Sequence, residues 1–328
     1  MIKPNICLVI GVCLTMLTGV SDGGTAAFGA DASAGKIVLI AGDLSDPFFG
    51  AIKRGADDAA KDLGVEYTYL PAGINAADLA KAIQAAGASA PAGVAFGDWF
   101  PDTEDRLVKA LAEKGVPIVG FNSGPDNWQE STGAIAWVNQ SDFAAGELAG
   151  SSLAAAGAKR ALCVNHGPGA TLFEQRCRGL QHGMEANAGA STVINIPWSD
   201  ASNPAKVTQA VQAALQNDSK IDAIFTLGSG VARDAVTAVK KSGRDVTVGT
   251  VDLSTAVLNQ VANGELLFAI DQQPYLQGYY AIAILAQEKT YGLHLVGQVS
   301  TGPVAITKKN AGRVIEINGA NHGIRGAL

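Results

Sequence analysis

The chain has 328 residues, a formal net charge of -6, 16% charged and 48% hydrophobic residues, and 39 glycines. That length suits two domains with sizeable cores. The sparse charge and the lack of any basic run argue against nucleic acid as a partner and do not point to an anionic membrane surface.

In chain order, Lys3 precedes an apolar run from Ile6 to Leu17, too short to span a bilayer comfortably. Small residues follow, with cleavage patterns at Ala30-Asp31-Ala32 and Thr25-Ala26-Ala27. Residues 1–32 therefore read as a secretory signal peptide, which places the mature protein in the periplasm. Cys13 lies inside the apolar run rather than after it, which argues against lipidation. Cys7 and Cys13 leave with the leader. Cys163 and Cys177 remain, and in an oxidising compartment a local disulfide between them is expected.

From Lys36 onward strand and helix alternate. Lys36–Ala41, Glu66–Leu70, Gly93–Phe96, Ile118–Phe121 and Ala134–Val138 read as strands. Phe48–Leu63, Ala76–Ala86 and Asp102–Lys114 read as helices, with Gly64 and Gly115 as stops. A helix from Asp142 to Ala156 opens a second series. Its strands are Arg160–Val164, Thr192–Ile196, Ala223–Thr226, Thr247–Val251, Leu267–Ile270 and Val304–Thr307. Its helices are Thr171–Asn187, Pro204–Leu215, Val231–Ser242, Ser254–Asn263 and Pro274–Glu288. This is an α/β pattern: two similar doubly wound parallel-sheet lobes with a cleft between their strand ends. Chain crossings are expected near Asn139-Gln140, near Asp271-Gln272 and around Gly297–Gly302. The expected lobes are 33–139 plus 272–300, and 140–271 plus 301–328.

Ligands of open α/β sheets bind at the carboxyl ends of the strands. Ser45-Asp46-Pro47-Phe48-Phe49 stands at such an end and opens a helix. Together with Gly120-Phe121-Asn122, Arg176-Cys177-Arg178-Gly179, Val248-Gly249-Thr250-Val251-Asp252 and Asp271-Gln272-Gln273-Pro274-Tyr275-Leu276-Gln277-Gly278, it resembles the motif series of type I periplasmic sugar-binding proteins of ABC transporters, similar to the ribose- and galactose-binding proteins. The resemblance covers nearly all of the mature chain. It implies two lobes joined by a three-segment hinge. It also implies capture of a monosaccharide or sugar alcohol for a membrane ABC permease, by a monomer without cofactor or metal. By the same resemblance Arg176, Asp252 and Gln272 contact the ligand. The chain departs from the family at Asp46, where Asn is usual, at Asn122-Ser123 in place of Asp-Arg, and at Gly228 in place of Asn. These departures point away from ribose itself.

The chemistry agrees. A buried sugar needs both donors and acceptors, because an unpaired polar group costs about 1–3 kcal/mol. Asp46 and Asp252 accept, Arg176 donates through a planar fork, and Asn122, Gln140 and Gln272 can do both. Phe48, Phe49, Trp99 and Trp198 can cover C–H faces. Each has a simpler alternative. Asp46 could be only an N-cap, Arg176 a surface ion-pair residue, Asp252 a cap or turn, and the tryptophans lobe packing. His166 reads as a loop residue near the rim.

Enzyme readings are weaker. Gly228-Ser229-Gly230-Val231-Ala232-Arg233 lacks the third glycine of a dinucleotide loop, and neither a phosphate loop nor a Gly-x-Ser-x-Gly elbow is present. The four histidines, at 166, 182, 294 and 322, lack metal spacing. A glycosidase built on Asp46 and Asp252 needs one of them protonated, whereas Arg176 nearby is expected to keep both ionised. A chemotaxis or quorum-signal sugar receptor of the same fold remains an alternative.

Overall fold

The structure is a computed structural model that describes residues 35–327; the expected leader and both of its cleavage patterns lie outside the described residues. Elements are numbered in chain order. The first series is β1 (Ile37–Ala41), α1 (Pro47–Leu63), β2 (Tyr67–Pro71), α2 (Ala76–Ala88), β3 (Gly93–Gly97), α3 (Pro101–Ala112), β4 (Ile118–Asn122), α4 (Trp128–Thr132) and β5 (Ala136–Gln140). The second is α5 (Asp142–Ala155), β6 (Arg160–Asn165), α6 (Thr171–Glu185), β7 (Ala190–Asn195), α7 (Trp198–Ala201), α8 (Pro204–Asn217), β8 (Ala223–Thr226), α9 (Ser229–Ser242), β9 (Thr247–Val251), α10 (Thr255–Asn263) and β10 (Phe268–Asp271). The chain closes with α11 (Pro274–Tyr291), β11 (Gly297–Gly302), β12 (Val304–Thr307) and α12 (Ala311–Ala320).

Two six-stranded sheets result, ordered β11-β5-β4-β3-β1-β2 and β12-β10-β9-β8-β6-β7. All pairings are parallel except β10 with β12. The five inner and edge strands that follow β11 match, position for position, the five that follow β12. Every residue of β1, β3 and β4 is buried, which is why these segments read as unbroken apolar runs. The chain passes between sheets after β5, after β10, and between β11 and β12 at the Gly302-Pro303 bond.

Each sheet is flanked by a helix pair in backbone contact. A Cβ on Gly55 would lie 2.0 Å from the Tyr275 carbonyl oxygen, and one on Gly278 1.9 Å from that of Ile52, so α1 and α11 meet with no side chain between them. In the other lobe Gly146 would meet the Arg176 carbonyl at 2.0 Å and Gly179 that of Phe143 at 2.0 Å. Neither helix can retreat, because each is packed on its sheet. Gly179→Ala is therefore expected to lower stability by about 1–3 kcal/mol through overpacking. Gly50→Ala, on the same scale of change but with nothing within 4 Å of the new methyl, should raise it by roughly 0.5–1 kcal/mol. Urea unfolding of both variants checks the contrast; equal effects would sink the close-contact argument.

The expected disulfide is present. Cys163 on β6 is bonded to Cys177 on α6, with Cα atoms 5.8 Å apart. It ties to the sheet the turn of α6 that also carries Arg176.

Candidate functional site

A cavity of about 570 Å³ lies between the carboxyl ends of the two sheets. Asp46, Phe48, Phe49, Trp99, Asn122, Arg176, Trp198, Asp252 and Gln272 all line it. Gln140 is not among its lining residues. That side chain is fully buried at the end of β5, donates to Asp142 Oδ1 at 3.4 Å, and lies against Gly302 at the sheet crossing. It belongs to the hinge. His166, Phe173, Gly228 and Ser229 also line the cavity.

Asp46 is an N-cap and also faces the cavity. It caps α1 by accepting from the Phe48 amide at 2.9 Å, and it lines the cavity. The first wall is aromatic: Phe48, Phe49 and Trp99, backed by the buried Phe121, meet edge to face in a chain, with successive centroids 5.3, 5.9 and 6.3 Å apart. Trp99 is 3% exposed, so it supports this wall more than it offers a free face. Trp198 on α7 is 44% exposed and stands at the mouth on the other lobe.

A hydrogen-bond chain joins the lobes across the hinge. Trp99 Nε1 donates to Asn122 Oδ1 at 2.8 Å, and Asn122 Nδ2 donates to Gln272 Oε1 and Gln277 Oε1, each at 3.2 Å. Gln272 Nε2 donates in turn to Asp252 Oδ1. Asn122 ends β4 and Asp252 follows β9, which are equivalent strands of the two sheets. Both residues sit in the left-handed region, with φ of 68° and 69°.

Arg176 is 1% exposed. Its Nε donates to Asp142 Oδ1 at 2.8 Å and its Nη1 to the Leu227 carbonyl at 3.2 Å, and its guanidinium carbon lies 5.7 Å from the Phe173 centroid. Nη2 has no partner. A buried guanidinium nitrogen left without an acceptor is costly, so it marks where an acceptor is wanted.

The carboxylates refine one expectation: a carboxyl near 6 is still mostly ionised at pH 7. Arg176 was expected to keep Asp46 and Asp252 ionised. Burial outweighs it at Asp252, whose carboxyl is pushed up to about 6 against the pull of Arg176. Asp46 is exposed at the cavity rim. Crowding by protein there raises its carboxyl above the usual range, more than its bond to the Phe48 amide lowers it. Acceptors, amides, a free donor and aromatic faces thus surround one volume. Among the described residues no three His, Cys, Asp or Glu side chains are placed to hold a metal ion.

Residues 37–291 match the periplasmic binding protein domain family. The crystal structure of a carbohydrate transporter from Acidothermus cellulolyticus 11B, in complex with myo-inositol, is 31% identical and superposes with a TM-score of 0.80, over 89% of this chain and 99% of that one. The xylose/arabinose-binding protein XylF of Sulfolobus acidocaldarius is 24% identical over 299 residues, 84% of this chain and 71% of that protein. GanP, a glucose-galactose binding protein from Geobacillus stearothermophilus, has a TM-score of 0.75 at 20% identity, over 84% of this chain and 98% of that one, and bears on the fold alone.

Proposed function

The chain belongs to the periplasmic binding protein domain family, and from that footing we propose that it captures a monosaccharide or cyclic polyol between its lobes and presents it to an ABC permease. The observation that carries this reading is the cavity's polar complement: an unpartnered Arg176 Nη2 in the same cavity as the linked amides of Asn122 and Gln272 and the carboxylate of Asp252. A ligand rich in hydroxyls donates to the carboxylates and accepts from the guanidinium in one pose. Bridging both lobes, it binds the closed arrangement better and shifts the population toward it. The proposed lobes are 33–139 plus 272–300 and 140–271 plus 301–328; the two sheets support this division, with Gln140 and Thr301-Gly302 still part of the first sheet. Family membership implies an extracellular or periplasmic location; export through a cleaved leader, a binding rather than catalytic role, and a monomeric state are part of the proposal.

Calorimetry against monosaccharides, myo-inositol and other polyols, with nucleosides and amino acids as contrast, tests it. At least one polyol or sugar should bind; tight binding of a nucleoside or amino acid with no sugar bound overturns it. The carboxyl of Asp252 adds a pH signature. Ligand hydroxyls donate to the ionised form, so affinity should rise as pH increases through about 6. Asp252→Asn should lower affinity about 10- to 100-fold and flatten that profile between pH 5 and 7.

A further inference from the structure

His166 follows β6, and nothing in its sequence setting marks it as a ligand residue. In the structure its imidazole is part of the second-lobe wall. It lies 4.5 Å from the Phe173 centroid and 6.2 Å from that of Trp198, stacked on the latter. One edge of the ring faces Gly228, a lining residue: a Cβ added there would stand 3.2 Å from Cε1 and 3.3 Å from Nε2. The absence of a side chain at 228 is what lets that edge reach the wall.

The other nitrogen is turned inward. Nδ1 is buried and has no hydrogen-bond partner. The backbone carbonyl of Val164 is the acceptor beside the ring. Burial, aided by the Arg176 charge, pushes the imidazole down to about 4, so the ring is neutral at pH 7 and carries one proton. We place that proton on the buried Nδ1, the nitrogen turned away from the cavity edge, which leaves the Nε2 lone pair on the edge against Gly228.

Resting on the sugar-binding reading, we infer that His166 is a ligand-contacting residue whose Nε2 lone pair accepts a hydrogen bond from one ligand hydroxyl. It would complement the free Arg176 Nη2, which can only donate. A ligand with an ether, carbonyl or deoxy carbon at that position would be rejected, so His166 acts in specificity as well as in affinity.

The first test needs no ligand. Long-range ¹H–¹⁵N correlation spectra of the free protein, with His166→Phe to assign the ring, should show a proton on Nδ1 and a bare Nε2 at pH 7. A proton on Nε2, or on both nitrogens, overturns the inference. The second uses whichever panel member binds. His166→Phe keeps the stack with Phe173 and Trp198 but has no acceptor, and should weaken binding about tenfold with an unchanged melting temperature. His166→Gln, which restores an acceptor oxygen, should recover part of the loss. The analogue lacking the contacted hydroxyl should bind wild type about tenfold more weakly and His166→Phe no more weakly than the parent ligand does. Unchanged affinity of His166→Phe overturns the role of His166 alone. A panel in which only a nucleoside or amino acid binds sinks the sugar reading instead, and His166→Phe is then titrated with that ligand on the same terms.

Discussion

Arg176→Ala is expected to abolish measurable ligand binding and to destabilise the protein by about 3–5 kcal/mol. The two losses have different origins. Binding goes because Nη2 is the free donor of the cavity. Stability goes because Asp142, 8% exposed, loses the partner that holds its charge. Burial already pushes the Asp142 carboxyl up and Arg176 only offsets it, so without Arg176 it must take up a proton or remain buried and unpaired. The double variant Arg176→Met with Asp142→Asn removes both charges at similar volume. It should recover most of the stability, since replacing a buried ion pair is often close to neutral, and should still fail to bind. Urea unfolding and calorimetry on the two variants read both terms. Binding by the double variant would show that Arg176 holds only the fold.

The second large effect lies behind the first aromatic wall. Asp98, next to Trp99, and Glu104 on α3 are fully buried; both Asp98 oxygens and Glu104 Oε2 lack partners, while Glu104 Oε1 accepts from the Phe100 amide at 2.8 Å. Burial, reinforced by Glu104 and Asp105, holds Asp98 well above its ordinary range, and burial pushes Glu104 up to about 8. A carboxyl whose proton is held more tightly in the folded chain stabilises the fold fully at acid pH. That contribution falls as pH rises from about 4.5 through 8. At about 1.4 kcal/mol for each tenfold in proton affinity, the loss is on the order of 5 kcal/mol. Wild type should therefore unfold at markedly lower urea at pH 9 than at pH 5. Glu104→Gln, neutral at both, should reduce that difference by about half or more while changing little at pH 5. Parallel pH profiles for the two proteins would remove the buried carboxyl as the cause.

Much of the fold could be read from runs and stops. β1, β3 and β4 are apolar throughout because they are covered on both faces, and α1 shows its buried stripe beside a clear proline start and glycine stop. The elements missed were too short, or too weakly striped, to show a periodic pattern. α4 and α7 are 5 and 4 residues long. α12 buries only Ala311, Val314 and Asn318, so no apolar stripe announces it. β11 reads in sequence only as a crossing, since its Gly, Gln, Ser and Thr composition resembles a linker although Thr301 is buried.

The cavity was legible where a motif sat at a strand end. Gln140 shows what a strand end alone does not tell: its side chain turns to Asp142 and Gly302 rather than lining the cavity. His166 was passed over because its surroundings come from α6, α7 and the start of α9, which no local spacing brings together. Nor could the sequence weigh Arg176 against burial at Asp252, since that balance depends on how far the carboxylate is withdrawn from water.

The left-handed backbone at Asn122 and Asp252 restricts how this binding site can change over evolutionary time. Most side chains meet a penalty of about 1–2 kcal/mol in that conformation, whereas asparagine and aspartate enter it readily. Mutations at the two positions are thus filtered to a small alphabet before the ligand is consulted. Within it, Asn and Asp codons differ by a single base. One nucleotide change at either lobe exchanges an amide for a carboxylate and leaves the backbone as it was, so descendants of this gene can shift from one hydroxyl pattern to another without passing through a misfolded intermediate.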